Sequence, residues 1–200
     1  TKYKDFIGGN NDCEIYGSTP DGHILSDYNK PMGKLWKHIE ARNAKKQIDI
    51  DIWNEYFKFA FVRNPWSRIL SQYSWWTQNT WDDEKKTGDK VRKMKNFEEY
   101  LVQKIGIVPN QKLQLFEEDI PLVDYIGRFE YLEEDFNEVC NLLKLENVSL
   151  IHENKTNHKD YKKYYNNDNN AIIEYLYNKD IESFGFDFDN TANKNIGVII

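Results

Sequence analysis

The sequence predicts an α/β fold with a mainly parallel central sheet, and three observations carry that expectation. Two short, strongly apolar runs, residues 56–62 and 122–129, read as buried strands. A segment with helical spacing or a helix-start signature follows each of them. Strand and helix alternating in this way is the pattern of a parallel sheet covered by helices.

Residues 1–33 are rich in Gly, Asn and Asp with short apolar runs, and read as loop with one short strand. Leu35, Ile39, Ala44 and Ile48 recur at roughly helical spacing, so 35–48 reads as a helix and 51–55 as a second, shorter one. The string Tyr56-Phe57-Lys58-Phe59-Ala60-Phe61-Val62 is aromatic and almost continuously apolar, and Arg63-Asn64-Pro65 ends it. Pro65 suits the first helical turn, where a missing N–H costs nothing, and Asn64 suits the cap before it. The helix so started is predicted to run from 65 to about 76.

Residues 77–96 are polar and charged and read as an exposed insertion. A helix over 97–105, a loop through Pro109 and Pro121, and the strand 122–129 come next. The segment 132–145 is an amphipathic helix with Leu132, Phe136, Val139, Leu142 and Leu143 on its apolar side. A polar loop over 152–169 leads to a last helix, 171–184. There is no internal repeat, and the chain reads as one domain over 1–200.

Composition narrows the function. The 200 residues are 40% hydrophobic and 15% aromatic, enough for a real core. The formal net charge of −6 argues against a general nucleic-acid binder, yet leaves room for a local basic pocket holding a small anion. No run of about 18 apolar residues encodes a membrane span. Cys13 and Cys140 lie far apart without metal-ligand spacing, and read as buried or free thiols; no metal is expected.

The stretch Phe59-Ala60-Phe61-Val62-Arg63-Asn64-Pro65-Trp66-Ser67-Arg68-Ile69-Leu70-Ser71-Gln72-Tyr73 carries the functional argument. A buried strand delivers Arg63 at its C-terminal edge, where ligands bind in open α/β sheets. The following helix offers backbone N–H groups and a positive dipole end to an anion. Arg63 can grip phosphate through two parallel hydrogen bonds, and Ser71, two turns on, can add a hydroxyl. The plainer alternative makes Arg63 and Arg68 surface ion-pair partners and Ser71 a packing residue.

The whole string resembles the 3′-phosphate-binding element of sulfotransferases that use 3′-phosphoadenosine-5′-phosphosulfate (PAPS), in the carbohydrate (heparan/chondroitin-type) branch. Lys37-His38-Ile39-Glu40-Ala41 is similar to that family's Lys-His-x-x-Ala segment. Asp124-Tyr125-Ile126-Gly127-Arg128-Phe129-Glu130 and the residues to Phe136 resemble its second strand-to-helix junction. Asn154-Lys155-Thr156-Asn157-His158-Lys159-Asp160-Tyr161, and the stretch Asp180 to Phe186, resemble its C-terminal segments. The pieces fall in the family's order over about 35–188.

The resemblance implies a three-layer P-loop-like fold and sulfonate transfer from PAPS to a carbohydrate hydroxyl, without a metal. It implies that Arg63 and Ser71 bind the 3′-phosphate. It implies also that Lys155, Thr156 and His158 lie in a loop closing over the nucleotide, where all three can donate to phosphate oxygens. Arg128, at a strand end with Glu130, is either a further nucleotide ligand or half of a structural ion pair. His38 matches the motif position of a general base, a role a neutral imidazole suits, and Lys37 beside it either assists with charge or is solvated. Gln111 falls in a loop where the family often carries Gln. Trp75, Trp76 and Trp81 either line an acceptor cleft or serve local packing.

One element of the family pattern is not found: a loop resembling Pro-Lys-x-(Ala/Gly)-x-(Thr/Ser)-Ser, which grips the 5′-phosphosulfate. Gly8-Gly9-Asn10-Asn11 and Gly17-Ser18-Thr19-Pro20 lack its lysine. The expectation is that the chain is a fragment whose first strand and loop lie upstream, and that it binds and turns over weakly. Two other functions compete. A nucleotide- or glycan-binding module derived from the same fold would need no base. A P-loop kinase would need Gly-x-x-x-x-Gly-Lys-(Ser/Thr), which does not occur. A stalkless chain of this kind fits a bacterial or viral cytoplasm, or the Golgi lumen if eukaryotic.

Overall fold

A computed structural model describes residues 39–80, 86–104, 107–146, 148, 150, 158–190 and 197–198. Two short helices, α1 (Ala41–Lys45) and α2 (Ile50–Glu55), lead into strand β1 (Phe59–Val62). Helix α3 (Pro65–Gln78) follows after two residues. Next come α4 (Thr87–Arg92), α5 (Phe97–Gln103) and α6 (Gln111–Leu115). A small hairpin, β2 (Phe116–Glu117) and β3 (Ile120–Pro121), precedes β4 (Tyr125–Arg128). Helices α7 (Leu132–Leu142), α8 (Asn167–Leu176) and α9 (Asn178–Phe184) and strand β5 (Gly197–Val198) follow, with short 3-10 turns at Phe129–Tyr131 and Tyr161–Tyr164. The result is a mixed α/β fold, mostly helical by residue.

The principal sheet has the order β1-β4-β5. β1 and β4 run parallel, with Phe59 paired to Tyr125 and Val62 to Arg128. β5 joins the other side of β4 antiparallel, so the described sheet is mixed rather than uniformly parallel. β4 is central, and all four of its residues are buried. At the opposite end of the pair, Asp124 pins both strand starts: its N–H donates to the Lys58 carbonyl, and its carboxylate accepts from the Lys58 N–H and pairs with Lys58 Nζ.

α3 is the helix around which the main core forms. Asn64 caps it by accepting from the Trp66 N–H, and Pro65 occupies the first turn, as the sequence predicts. Trp66, Ile69 and Leu70 are buried on its inner face against Val62, Ile126, Ile173 and Tyr177. Ala41, Trp53 and Leu122 form a second, smaller cluster. Among the described residues no helix is long and apolar enough to cross a membrane.

Several boundaries and faces differ from expectation. The stretch read as an exposed insertion contains α4, whose Thr87, Gly88 and Val91 are buried, with Val91 at 0% exposure in the core. Three residues on one short helical face are too sparse to register as a period in a polar string. Residues 81–85 of that stretch lie outside the described residues. The loop expected through Pro109 and Pro121 holds α6 and the β2–β3 hairpin, whose turn places Glu118 in the left-handed region (φ 55). The single last helix is two, broken at Tyr177, whose hydroxyl donates to the Val108 carbonyl.

On α7 the buried positions are Asp135, Val139 and Cys140, while Leu142 is exposed. The stripe is displaced because the Asp135 carboxylate accepts the Arg128 N–H at 2.6 Å, holding the end of β4. The predicted helix 35–48 is described only as α1, and the expected loop over 1–33 lies outside the described residues.

Gly127 marks where β1 and α7 approach β4. A Cβ there would lie 2.5 Å from Phe61 Cε1 and 3.1 Å from Asp135 Cβ. Gly127→Ala is therefore expected to cost about 1–3 kcal/mol, the ordinary cost of overpacking. Chemical denaturation of the two proteins checks this, and equal stability would show that the ring of Phe61 moves aside freely.

Candidate functional site

Because Val62 and Arg128 are register partners in a parallel pair, both strands end at the same sheet edge. Arg63, one residue past β1, and Arg128, the last residue of β4, therefore emerge together. That edge is the C-terminal one, where an open α/β sheet presents its ligand crevice.

The turn carrying Arg63 is held by its backbone. The Arg63 N–H donates to Gln111 Oε1 at 2.8 Å, and Gln111 Nε2 donates back to the Arg63 carbonyl at 2.9 Å. The Asn64 N–H donates to Glu130 Oε1 at 2.8 Å. Asn64 Nδ2 donates to the Asp187 carbonyl and to Asn190 Oδ1. These bonds occupy the N–H groups of Arg63, Asn64 and Trp66. The expectation of free backbone N–H groups for an anion is thereby corrected at those positions: side-chain acceptors already hold them. What this turn offers an anion is the arginine and hydroxyl side chains.

Arg63 Nε and Nη2 both donate to Ser67 Oγ, at 3.0 and 2.8 Å, and its guanidinium lies 4.2 Å from the Phe129 ring centroid. Phe129 is 43% exposed, large for an aromatic ring beside a charged group. Arg63, Ser67 and Ser71 are spaced four residues apart, so they stack along one face of the turn and helix. Ser71 is half-buried on that helix. Ser67 escaped the sequence reading, although its spacing of four from Arg63 was visible there.

Arg128 is 4% exposed. Its Nη2 donates to the Phe184 carbonyl, and its guanidinium lies 4.7 Å from the Phe186 ring centroid. Its Nε and Nη1, like Glu130 Oε2, are buried without a hydrogen-bond partner among the described residues. No ion pair joins Arg128 to Glu130 among the described residues, so that alternative is not what the geometry shows.

Burial pulls the Arg63 guanidinium down to about 10, against the upward pull of Glu130 and together with the like charge of Arg68. Burial lowers Arg128 as well, opposed by Glu130 and then Asp135. It lowers Arg68, whose Nη1 donates to the Pro109 carbonyl. All three remain cations at neutral pH. The chain is acidic overall, yet this edge carries the guanidiniums of Arg63 and Arg128, with Arg68 near enough to Arg63 to lower it further.

His158 is half-buried, with Nδ1 at 2.8 Å from the Lys159 carbonyl. It opens a segment whose Tyr165 hydroxyl donates to the Trp66 carbonyl on the first turn of α3 and whose Tyr161 hydroxyl donates to the Phe188 carbonyl beyond α9. Lys37, His38, Lys155 and Thr156 lie outside the described residues, as does Trp81. Trp76 is buried in the core, and Trp75 packs partly buried against it at a ring separation of 4.8 Å, so packing accounts for this pair. Cys140 is a buried free thiol pushed up by desolvation.

The described site is thus a set of arginine and hydroxyl side chains at one strand–helix edge of an acidic α/β frame. Comparison with protein families makes this specific: a model of the Sulfotransferase family matches residues 19–187, and the chain belongs to that family. Comparisons with curated proteins and with solved structures returned no match.

Asn64 joins the helix cap, the Arg63 turn and the segment 187–190. Asn64→Ala is expected to cost about 1–3 kcal/mol, from the lost cap and the donors and acceptors left unpaired. Urea denaturation measures it, and a change below about 0.5 kcal/mol would mean that water replaces these bonds without loss.

Proposed function

We propose that this chain is a PAPS-dependent sulfotransferase that moves a sulfonate group to a hydroxyl of a carbohydrate acceptor. Membership of the Sulfotransferase family supports the reaction class. The observation that carries the nucleotide assignment is Arg63 at the sheet edge with the Ser67 and Ser71 positions stacked behind it. The likeness of residues 59–73 to the glycan-modifying branch, with residues 37–41 and 154–161 fitting the same family, supports a sugar acceptor. In this reading the described sheet is the centre of a three-layer P-loop-like fold.

The residues present fit a nucleotide bearing a 3′-phosphate. Arg63 spends its fork on a neutral hydroxyl, Ser67 Oγ, rather than on a carboxylate. A phosphate oxygen makes a stronger, charge-assisted pair with a guanidinium than a hydroxyl does. Ser67 would thus hold Arg63 extended until phosphate takes its place, with Ser71 donating from the next turn. Arg128 has two buried donors to offer from the neighbouring strand. Lys155, Thr156 and His158 would close over the nucleotide. PAPS, when bound, supplies the sulfonate and the phosphate leaving group. His38 would accept the proton of the acceptor hydroxyl, and Lys37 would stabilise the charge that develops nearby.

Calorimetric titration with adenosine 3′,5′-bisphosphate and with adenosine 5′-phosphate tests the assignment. The bisphosphate is expected to bind more than about tenfold tighter, and Arg63→Ala to abolish the difference. Equal affinities in the wild type would sink the 3′-phosphate site. For the base, His38→Ala is expected to lower kcat about 10²–10⁴-fold while leaving bisphosphate affinity unchanged. Unaltered turnover would remove His38 from the chemistry and favour a different proton acceptor.

A further inference from the structure

Arg63 lies where the β1–β4 ladder has ended, so its backbone groups need partners from elsewhere. Gln111 provides both from one carboxamide. Oε1 accepts from the Arg63 N–H and Nε2 donates to the Arg63 carbonyl, the exchange that a residue of an adjoining strand would make. The side chain thereby stands in for a peptide group and extends the strand by one residue.

The carboxamide is itself fixed. Gln111 is 6% exposed and Asp180 is 0% exposed. Asp180 Oδ2 accepts from the Gln111 N–H at 2.8 Å and from Gln111 Nε2 at 3.2 Å, while Oδ1 accepts from the Lys112 N–H at 2.8 Å. A carboxylate can face only the NH₂ end of an amide. Asp180 therefore decides which way Gln111 points, and Gln111 Oε1 is left facing the Arg63 N–H. Both hydrogens of Nε2 are used, one on Asp180 and one on Arg63.

The segment bearing Gln111 is placed by hydrogen bonds from two sides. The Tyr177 hydroxyl donates to the Val108 carbonyl at 2.6 Å, Arg68 Nη1 to that of Pro109 at 3.0 Å, and Asn110 Nδ2 to that of Leu176 at 2.8 Å. The α8–α9 junction and α3 thus converge on a short stretch whose outcome is one amide aimed at the Arg63 backbone.

We infer that Gln111, oriented by Asp180, is a positioning residue that sets the backbone from which Arg63 reaches a nucleotide 3′-phosphate. This rests on the proposed nucleotide site. Without the clamp the Arg63 N–H and carbonyl lose these partners, the turn is held only from Asn64 onward, and ordering now completed on folding falls to binding.

The test is a double-variant cycle read by calorimetry on the full chain, with adenosine 3′,5′-bisphosphate and adenosine 5′-phosphate as probes and thermal unfolding recorded for every variant. Gln111→Ala is expected to weaken bisphosphate binding about tenfold and monophosphate binding little, and to cause no further loss in the Arg63→Ala background. Gln111→Glu keeps the volume. As a carboxylate it cannot donate to the Arg63 carbonyl and it faces the Asp180 carboxylate; once protonated it regains one of the two donors of the amide, for which Asp180 and the Arg63 carbonyl compete, and keeps one acceptor. Its affinity relative to wild type at the same pH is therefore expected to recover in part as pH falls and the introduced carboxyl and Asp180 both become protonated. That series carries the test where Gln111→Ala does not fold. A loss that persists undiminished in the Arg63→Ala background, or a Gln111→Glu variant equal to wild type at neutral pH or without recovery in acid, overturns the positioning role. A wild type that does not distinguish the two nucleotides overturns the underlying site instead, and this inference with it.

Discussion

The parallel register of β1 and β4 is the constraint on which the rest of the structure depends. Pairing Val62 with Arg128 ends two adjacent strands at one level, and so brings Arg63 and Arg128 to one edge. A shift of one residue would turn each side chain to the opposite face of the sheet. The register is defended at both ends. Asp124 ties the strand starts together through Lys58, and Asp135 accepts the Arg128 N–H where β4 stops. Gly127 allows the ring of Phe61 to lie over the pair where any larger residue would intrude.

Placing guanidiniums there has an electrostatic cost that the fold only partly offsets. A desolvated cation costs several kcal/mol unless it is paired and hydrogen-bonded. Glu130 raises both Arg63 and Arg128, yet its Oε1 is committed to the Asn64 N–H and its Oε2 has no partner among the described residues. Ser67, the Phe129 ring, the Phe184 carbonyl and the Phe186 ring supply neutral contacts. Such contacts keep the side chains extended without neutralising them. On the proposed reading the organisation of the site is done during folding, and the missing charge arrives with the nucleotide.

Much of the decisive element was readable because its rules are local. An aromatic run followed by Arg-Asn-Pro states a strand, its end, a cap and a first helical turn within seven residues, and the structure places β1, Asn64 and α3 accordingly. What could not be read depends on partners distant in sequence. Nothing near Gln111 announces Asp180, and nothing near Tyr177 announces that its hydroxyl will meet the Val108 carbonyl or that the helix divides there. Asp135 sits in a charged string and looks like a solvated face until the Arg128 N–H is seen behind it. The α4 segment hides its buried Val91 among lysines for the same reason. Ser67 is the exception, since its spacing of four from Arg63 is legible in the sequence. His38, Lys37, Lys155 and Thr156 rest on the family resemblance alone.

The most direct test of the central claim is a crystal structure of the chain with adenosine 3′,5′-bisphosphate. The account predicts the 3′-phosphate within hydrogen-bond reach of the Arg63 guanidinium and the Ser71 hydroxyl, with Ser67 Oγ displaced from the arginine fork and Gln111 still bridging the Arg63 backbone. A phosphate bound elsewhere, with the Arg63 fork still closed on Ser67, would contradict it.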